Sequence, residues 1–309
     1  MININPYSLG ATLYIPAVTN NLQSIVTGRK YPLLRSAVIC LEDAICDNQV
    51  AQGMANLKQL LSALQTCSNA NNKQPLLFVR PRNVEMAMQI ITSMPLSQLC
   101  GFVLPKFDVD SLNAWKNACS GTSLLWMPTL ETAQAHDPIA MRELAIQLEK
   151  HDLQQRIIAL RIGGNDLLSC LGLRRMAQQT LYEGPLANTI SMLVSTFSSR
   201  QYALTAPVFE RLDDLATLQR ELQQDLAFGL VGKTAIHPSQ LLPIQNAFRV
   251  PLSDYQAAMQ ILNSDKAVYK WDNVMAEPAT HRNWASKILL RAEEYGVLDR
   301  KESWNELNA

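Results

Sequence analysis

Short apolar runs rich in branched residues recur along most of the chain, each followed by a cluster of polar residues. They are TLYIP (12–16), SAVICL (36–41), LLFVR (76–80), GFVLP (101–105), SLLWMP (123–128), RIIALRI (156–162), YALTA (202–206) and VGKTAI (231–236). Runs this short are strand candidates, since branched side chains suit a pleated surface and helices need greater length. Between most of them the apolar positions change to helical spacing, as over 52–65, 138–150, 187–198 and 212–228. The shortest gaps, before GFVLP and before SLLWMP, still have room for a short helix.

Strands that alternate with helices pair in parallel. Strands that are apolar throughout belong to a sheet covered on both faces. Eight such units over residues 1–240 predict an α/β fold, a closed (β/α)8 TIM barrel, rather than an open sheet. No Gly-x-Gly-x-x-Gly follows the first run, which weakens a dinucleotide-binding alternative. After Pro238 the pattern turns to helix and loop. The spacing predicts a helix over 253–264, a polar connection over 265–272 and a longer helix over 278–296, opened by Pro278 and closed by Gly296. Residues 241–309 are too few for an independent domain and read as a C-terminal helical extension, either a lid over the barrel mouth or an arm for oligomerisation. Trp271, Trp284 and Trp304 read as packing anchors of this tail.

Composition narrows the partners. The chain of 309 residues carries 27 Lys+Arg against 27 Asp+Glu, a balance that offers nothing to nucleic acid or to an anionic membrane surface. No run reaches the roughly 18 apolar residues of a membrane helix, and the N-terminus lacks the basic start and long apolar stretch of a secretory signal. The six cysteines, Cys40, Cys46, Cys67, Cys100, Cys119 and Cys170, form no Cys-x-x-Cys pair. They read as reduced, mostly buried thiols of a cytoplasmic protein.

The polar residues that follow the strands carry the chemistry, because a barrel keeps its active site at the strand ends. Strand two ends in Glu42-Asp43, strand three in Arg80, strand four in Lys106, strand five in Glu131, strand six in Gly163-Gly164-Asn165-Asp166 and strand eight in His237-Pro238. Carboxylates at the ends of buried strands are costly unless something positive meets them. Glu131 and Asp166, from neighbouring strands, make an oxygen-lined seat suited to Mg2+.

These segments, taken in order, resemble the citrate lyase beta-subunit-like proteins, which belong with the HpcH/HpaI-type aldolases. The resemblance rests on CLEDA, FVRPRN, GFVLPKFD, MPTLETA, GGNDLLSCLGLRR, GLVGKTAIHPSQL and MAEPATHRNWASKIL, and runs from about Leu13 to Gly296. It implies a TIM barrel with Mg2+ at its mouth, held by Glu131 and Asp166, with Arg80 facing a substrate carbonyl or carboxylate. It also implies cleavage or formation of a carbon–carbon bond through an enolate, and a homo-oligomer, trimer or hexamer. Glu42 would orient Arg80 across adjacent strands, and Lys106 and His237 would contact substrate. The general base stays open between Asp43 and a water on the metal.

The departures are specific. Ala133-Gln134-Ala135 stands where the family has a Pro-Arg-Gly-like segment, Cys170 replaces a second Asp and Asn165 a Glu. The stretches AVTNNLQS and ICDNQVAQGMANL lack the usual basic residues. Most of the losses are of residues able to grip CoA phosphates, so the expected partner is a small carboxylate or keto acid, with acyl-CoA the weaker expectation.

Plainer readings stand beside these. Asp166 can serve as N-cap of a helix starting at Leu167; Arg82, Lys106 and His237 can be structural; Cys170 can be a small buried residue; Arg174-Arg175 can be a solvated helix end. The expected function is a Mg2+-dependent carbon–carbon lyase or aldolase. The alternatives are a catalytically silent barrel that works by association, and a thioester hydrolase or phosphoenolpyruvate enzyme with the same metal site.

Overall fold

The computed structural model describes residues 4–66 and 74–298. Cys67 and Trp304 lie outside the described residues. The chain divides into two compact units, Met1–Leu241 and Leu242–Ala309.

The first unit is a parallel barrel. Its strands are β1 (Ala11–Pro16), β2 (Ser36–Cys40), β3 (Leu76–Arg80), β4 (Gly101–Leu104), β5 (Leu125–Leu130), β6 (Leu160–Ile162), β7 (Leu204–Thr205) and β8 (Lys233–Ala235). They pair in the order β7-β6-β5-β4-β3-β2-β1-β8. A parallel bridge between Ala206 and Lys233 closes the ring, with hydrogen bonds from Ala206 N to Gly232 O at 2.7 Å and from Val231 N to Leu204 O at 2.9 Å. The helices between strands are α1 (Leu22–Val26), α2 (Val50–Thr66), α3 (Val84–Ser93), α4 (Val109–Ala118), α5 (Pro138–Lys150), α6 (Gly164–Cys170), α7 (Leu186–Ser198) and α8 (Leu215–Ala227). Both faces of the strands are covered, so β2 is buried at every position. The two shortest gaps do hold helices, α3 and α4. Each is started by a side chain that accepts from the first-turn backbone, Asn83 from Met86 N and Asp108 from Ser111 N.

Two strands differ from the sequence pattern. β5 starts two residues later than the run SLLWMP and extends through Thr129-Leu130. Only the second half of RIIALRI is strand: a 3-10 segment, Gln154–Arg156, ends on its first residue, and β6 begins at Leu160. Gly101 opens β4 because its neighbour leaves no room: an added Cβ would sit 1.9 Å from the Leu125 carbonyl oxygen.

The second unit packs α10 (Leu252–Asn263) and α11 (Pro278–Tyr295), which follow α9 (Leu241–Ala247), around a core of Val250, Ala258, Ile261, Ala276, Ala285, Ile288 and Ala292. α11 ends at Gly296, whose φ of 80° falls in the left-handed region. The segment expected as a polar connection instead carries a hairpin, β10 (Tyr269–Trp271) with β11 (Val274–Ala276). Its turn residues Asp272 and Asn273 have φ of 42° and 63°, the two positive angles of a tight hairpin turn. Trp271 packs on the core of this unit, whereas Trp284 is exposed. Among the described residues no helix is long and apolar enough to cross a membrane.

Candidate active site

The C-terminal ends of the barrel strands surround a cavity of about 340 Å3. Tyr14 of β1, Arg80 of β3, Arg161 of β6 and Thr234 of β8 reach it from the strands themselves. Glu42 and Asp43 follow β2, Glu131 follows β5, and Asp166 lies in the first turn of α6.

Arg80 is the centre of this arrangement. Its Nε donates to Glu42 Oε2 at 2.5 Å, its Nη2 to Glu131 Oε1 at 2.8 Å, and its Nη1 to Thr129 Oγ1 at 3.4 Å. Burial acts to lower the Arg80 pKa, but Glu131, Tyr14 and Glu42 outweigh it and raise the pKa, so the guanidinium stays charged. The pairing of Glu42 with Arg80 across adjacent strands thus has a direct geometric basis.

Glu42 is buried and divided between two cations. Its other oxygen accepts from Lys106 Nζ at 2.7 Å. Burial would raise its pKa, but Arg80 and Lys106 together pull it below the usual value. Lys106 also donates its backbone N–H to Glu131 Oε1 at 2.8 Å. Its φ of 48° is in the left-handed region, uncommon for a residue with a side chain. That turn lets one residue hold both carboxylates, although Lys106 does not itself line the cavity. Asp43 is exposed at the rim, 3.9 Å from Arg80, and its pKa is raised by the partial loss of solvent on its inner side and by the neighbouring Glu42 charge.

Glu131 shares the single charge of Arg80 with Glu42. Burial, with Asp166 and Glu42 nearby, raises its pKa to about 7 against the pull of Arg80 and the Lys106 backbone N–H. Gly163 packs directly on it: an added Cβ would stand 2.4 Å from Glu131 Cβ and 2.5 Å from Oε2. Two carboxylates whose charges repel fit a hard divalent cation, and the donors are all oxygen. Among the described residues no three His, Cys, Asp or Glu side chains form a complete cage. A cation here would complete its shell with water and substrate, which is the habit of Mg2+.

Several expected residues take other roles. Asp166 is half-buried and is not an N-cap, since α6 starts at Gly164 with Gly163 in the capping position. His237 is exposed, accepts from Ser239 N at 3.2 Å, and is not among the residues lining the cavity. Arg82 ties down the loop after β2, donating to Leu41 O at 2.8 Å and Ile45 O at 2.7 Å and pairing with Asp47. Cys170 is exposed rather than buried, because it faces out at the end of α6. Arg175 is buried rather than solvated, held by Glu210 and Glu221. The sequence pattern did not single out Arg161, Tyr14 or Thr234. Arg161 and Tyr14 lie inside apolar runs, where their inward direction depends on the strand phase.

A family model described as C–C bond lyase of the TIM-barrel fold matches residues 3–297. No curated protein matches the chain. Among solved structures, the protein CitE from Mycobacterium tuberculosis, in complex with magnesium, acetoacetate and coenzyme A, is 19% identical over 92% of this chain and 98% of its own, with a TM-score of 0.67. RipC from Yersinia pestis is 19% identical over 79% of this chain and 96% of its own, with a TM-score of 0.58. The citrate lyase beta subunit from M. tuberculosis, complexed with oxaloacetate and magnesium, is 17% identical over 80% of this chain and 100% of its own, with a TM-score of 0.59. At these identities the likeness shows the fold.

Proposed function

The chain belongs to the C–C bond lyase family of the TIM-barrel fold, and on that premise we propose that it is a Mg2+-dependent carbon–carbon lyase acting through an enolate on a small carboxylate or keto acid. The observation that carries this reading is the meeting of Arg80, Glu131 and Asp166 on one cavity, with the Glu131 and Asp166 charges close enough to repel. Magnesium and keto acids bound together in solved structures of this fold support the choice of metal and of substrate class.

Glu131 and Asp166 are the proposed metal ligands. Mg2+ there would supply a Lewis acid for the substrate carbonyl oxygen. Breaking a bond β to that carbonyl sends an electron pair onto the oxygen. Arg80, fixed by Glu42 and Glu131 before substrate arrives, offers its remaining N–H donors to the developing charge. Asp43 stands at the rim with a raised pKa and is the proposed general base. It takes the proton of a hydroxyl β to that carbonyl as the carbon–carbon bond breaks, which leaves a new carbonyl on the departing fragment, and the protonated Asp43 then returns that proton to the enolate carbon. Lys106 positions both acids that hold Arg80.

Homo-oligomerisation and a cytoplasmic setting belong to the same proposal. On the hairpin of the second unit Val274 and Met275 are 66% and 60% exposed, apolar surface of the kind a neighbouring copy would cover. Cys40, Cys46, Cys100, Cys119 and Cys170 are all free thiols, as a reducing compartment requires.

The test is a calorimetric titration of Mg2+ into wild type and Asp166→Ala, with and without pyruvate. Binding that depends on Asp166 and is strengthened by pyruvate supports the enolate site. No binding to either protein would favour a barrel that works by association alone.

A further inference from the structure

Arg161 differs from every other buried cation among the described residues. Arg80 holds Glu42 and Glu131, Arg175 holds Glu210 and Glu221, and Lys233 holds Glu221 and Asp225. Arg161 is equally deep, only 2% exposed, yet no carboxylate among the described residues forms an ion pair with it. Its partners are neutral: Nη2 donates to Thr234 Oγ1, Nη1 lies 3.6 Å from Met127 Sδ, and the guanidinium carbon sits 5.2 Å from the Tyr14 ring centroid. A buried guanidinium without an anion is strongly unfavourable unless it serves one that arrives.

Its position says where that anion would come from. Arg161 lines the same cavity as Arg80, with Tyr14 and Thr234 beside it. Its register partner on β5 is Thr129, the residue that Arg80 Nη1 also reaches. Two guanidinium groups therefore share one small chamber, one pinned by acids and one in no ion pair, with the Glu131 charge felt only at a distance. Thr205, the register partner of Arg161 on β7, keeps a buried hydroxyl without a hydrogen-bond partner in the same layer.

We propose that Arg161, together with Tyr14 and Thr234, is a second anion subsite that takes the distal carboxylate of a dicarboxylic substrate. This deepens the lyase reading and rests on it, because the other end of the substrate is the end held at Arg80 and the metal. A carboxylate suits the subsite, since a planar guanidinium fork meets two coplanar oxygens. Burial keeps the Tyr14 phenol above its usual pKa, so it remains a hydrogen-bond donor at neutral pH. Burial and the like charge of Arg80 press the Arg161 pKa downward, a pressure that an arriving carboxylate relieves.

The test compares oxaloacetate, which has a second carboxylate, with pyruvate, which does not, by calorimetry on the full chain with Mg2+. Arg161→Met keeps much of the volume and removes the charge. Oxaloacetate should bind it about tenfold or more weakly, while pyruvate and Mg2+ binding stay within about twofold. Arg161→Lys should fall between the two, because it keeps the charge and loses the fork. Should Arg161→Met fail to fold, Tyr14→Phe gives the second reading, with a selective loss for oxaloacetate of a few-fold. Unchanged oxaloacetate affinity, or equal losses for both acids, would overturn the subsite. Inorganic phosphate binding tighter than oxaloacetate in an Arg161-dependent way would overturn the carboxylate assignment. Failure of pyruvate and Mg2+ to bind the wild type would instead strike the lyase reading itself.

Discussion

Arg80 and Glu131 are joined by a 2.8 Å ion pair between Nη2 and Oε1, so the guanidinium proposed to steady the enolate also holds a carboxylate proposed to bind the metal. The two functions are mechanically coupled. Arg80→Lys keeps a positive charge but loses the fork that reaches Glu42 and Glu131 at once. We expect turnover of a cleavable keto acid to fall about 10²-fold or more, with the fold intact by circular dichroism. Turnover within about twofold of wild type would remove Arg80 from the chemistry.

Glu131 imposes a pH dependence on the metal-free protein. Its pKa rises from 4.5 to about 7 on folding, burial being the main cause. Between those values the folded state holds a proton that the unfolded chain has already lost, so stability falls as pH rises through this window. Above about pH 7 the loss is complete, of order 3 kcal/mol. Asp225, raised to about 6, adds a loss of the same sign lower in the range. Glu131→Gln should flatten the upper part of the profile in urea unfolding at stepped pH. An unchanged profile in that variant would mean Glu131 is not the group.

Gly163 keeps the carboxylate of Glu131 in place by leaving room for it. Its φ of −86° is open to any residue, so Gly163→Ala strains no backbone. The added methyl would nevertheless meet Glu131 Cβ and Oε2 at 2.4 and 2.5 Å, which forces that side chain to move. We expect Mg2+ affinity to fall by about tenfold or more, the scale on which displaced support weakens a metal site. Affinity equal to wild type would show that Oε2 is not needed for metal.

The barrel was legible because strands covered on both faces are apolar without interruption, and SAVIC and LLFVR announce themselves for that reason. Arg80 and Glu131 were legible because each stands where an apolar run stops. Arg161 was not, since it interrupts RIIALRI and looks like a strand position; its meaning comes from Tyr14 and Thr234 across the barrel. Glu221 and Asp225 read as the polar side of an ordinary helix, because Lys233 meets them only once β8 is laid down. The hairpin at 269–276 had a usable signal in Asp272-Asn273, two residues that tolerate positive φ, but its strands are too short to show alternation.

Lys233 holds β8 to α8 from a fully buried position. Its Nζ lies 2.9 Å from Glu221 Oε1 and 2.8 Å from Asp225 Oδ2, while Tyr182 donates to Asp225 at 2.6 Å. Burial lifts Asp225 to about 6 even with the lysine present. Lys233→Met would leave Asp225 without its cation, whereas Glu221 keeps Arg175. The expected cost is about 3–5 kcal/mol of stability, since breaking one side of a buried pair strands the other. Adding Asp225→Leu should recover much of it, because an apolar replacement of both partners is often neutral. Urea unfolding of the single and double variants decides the matter. A double variant no better than Lys233→Met alone would show that packing, rather than the stranded charge, sets the cost.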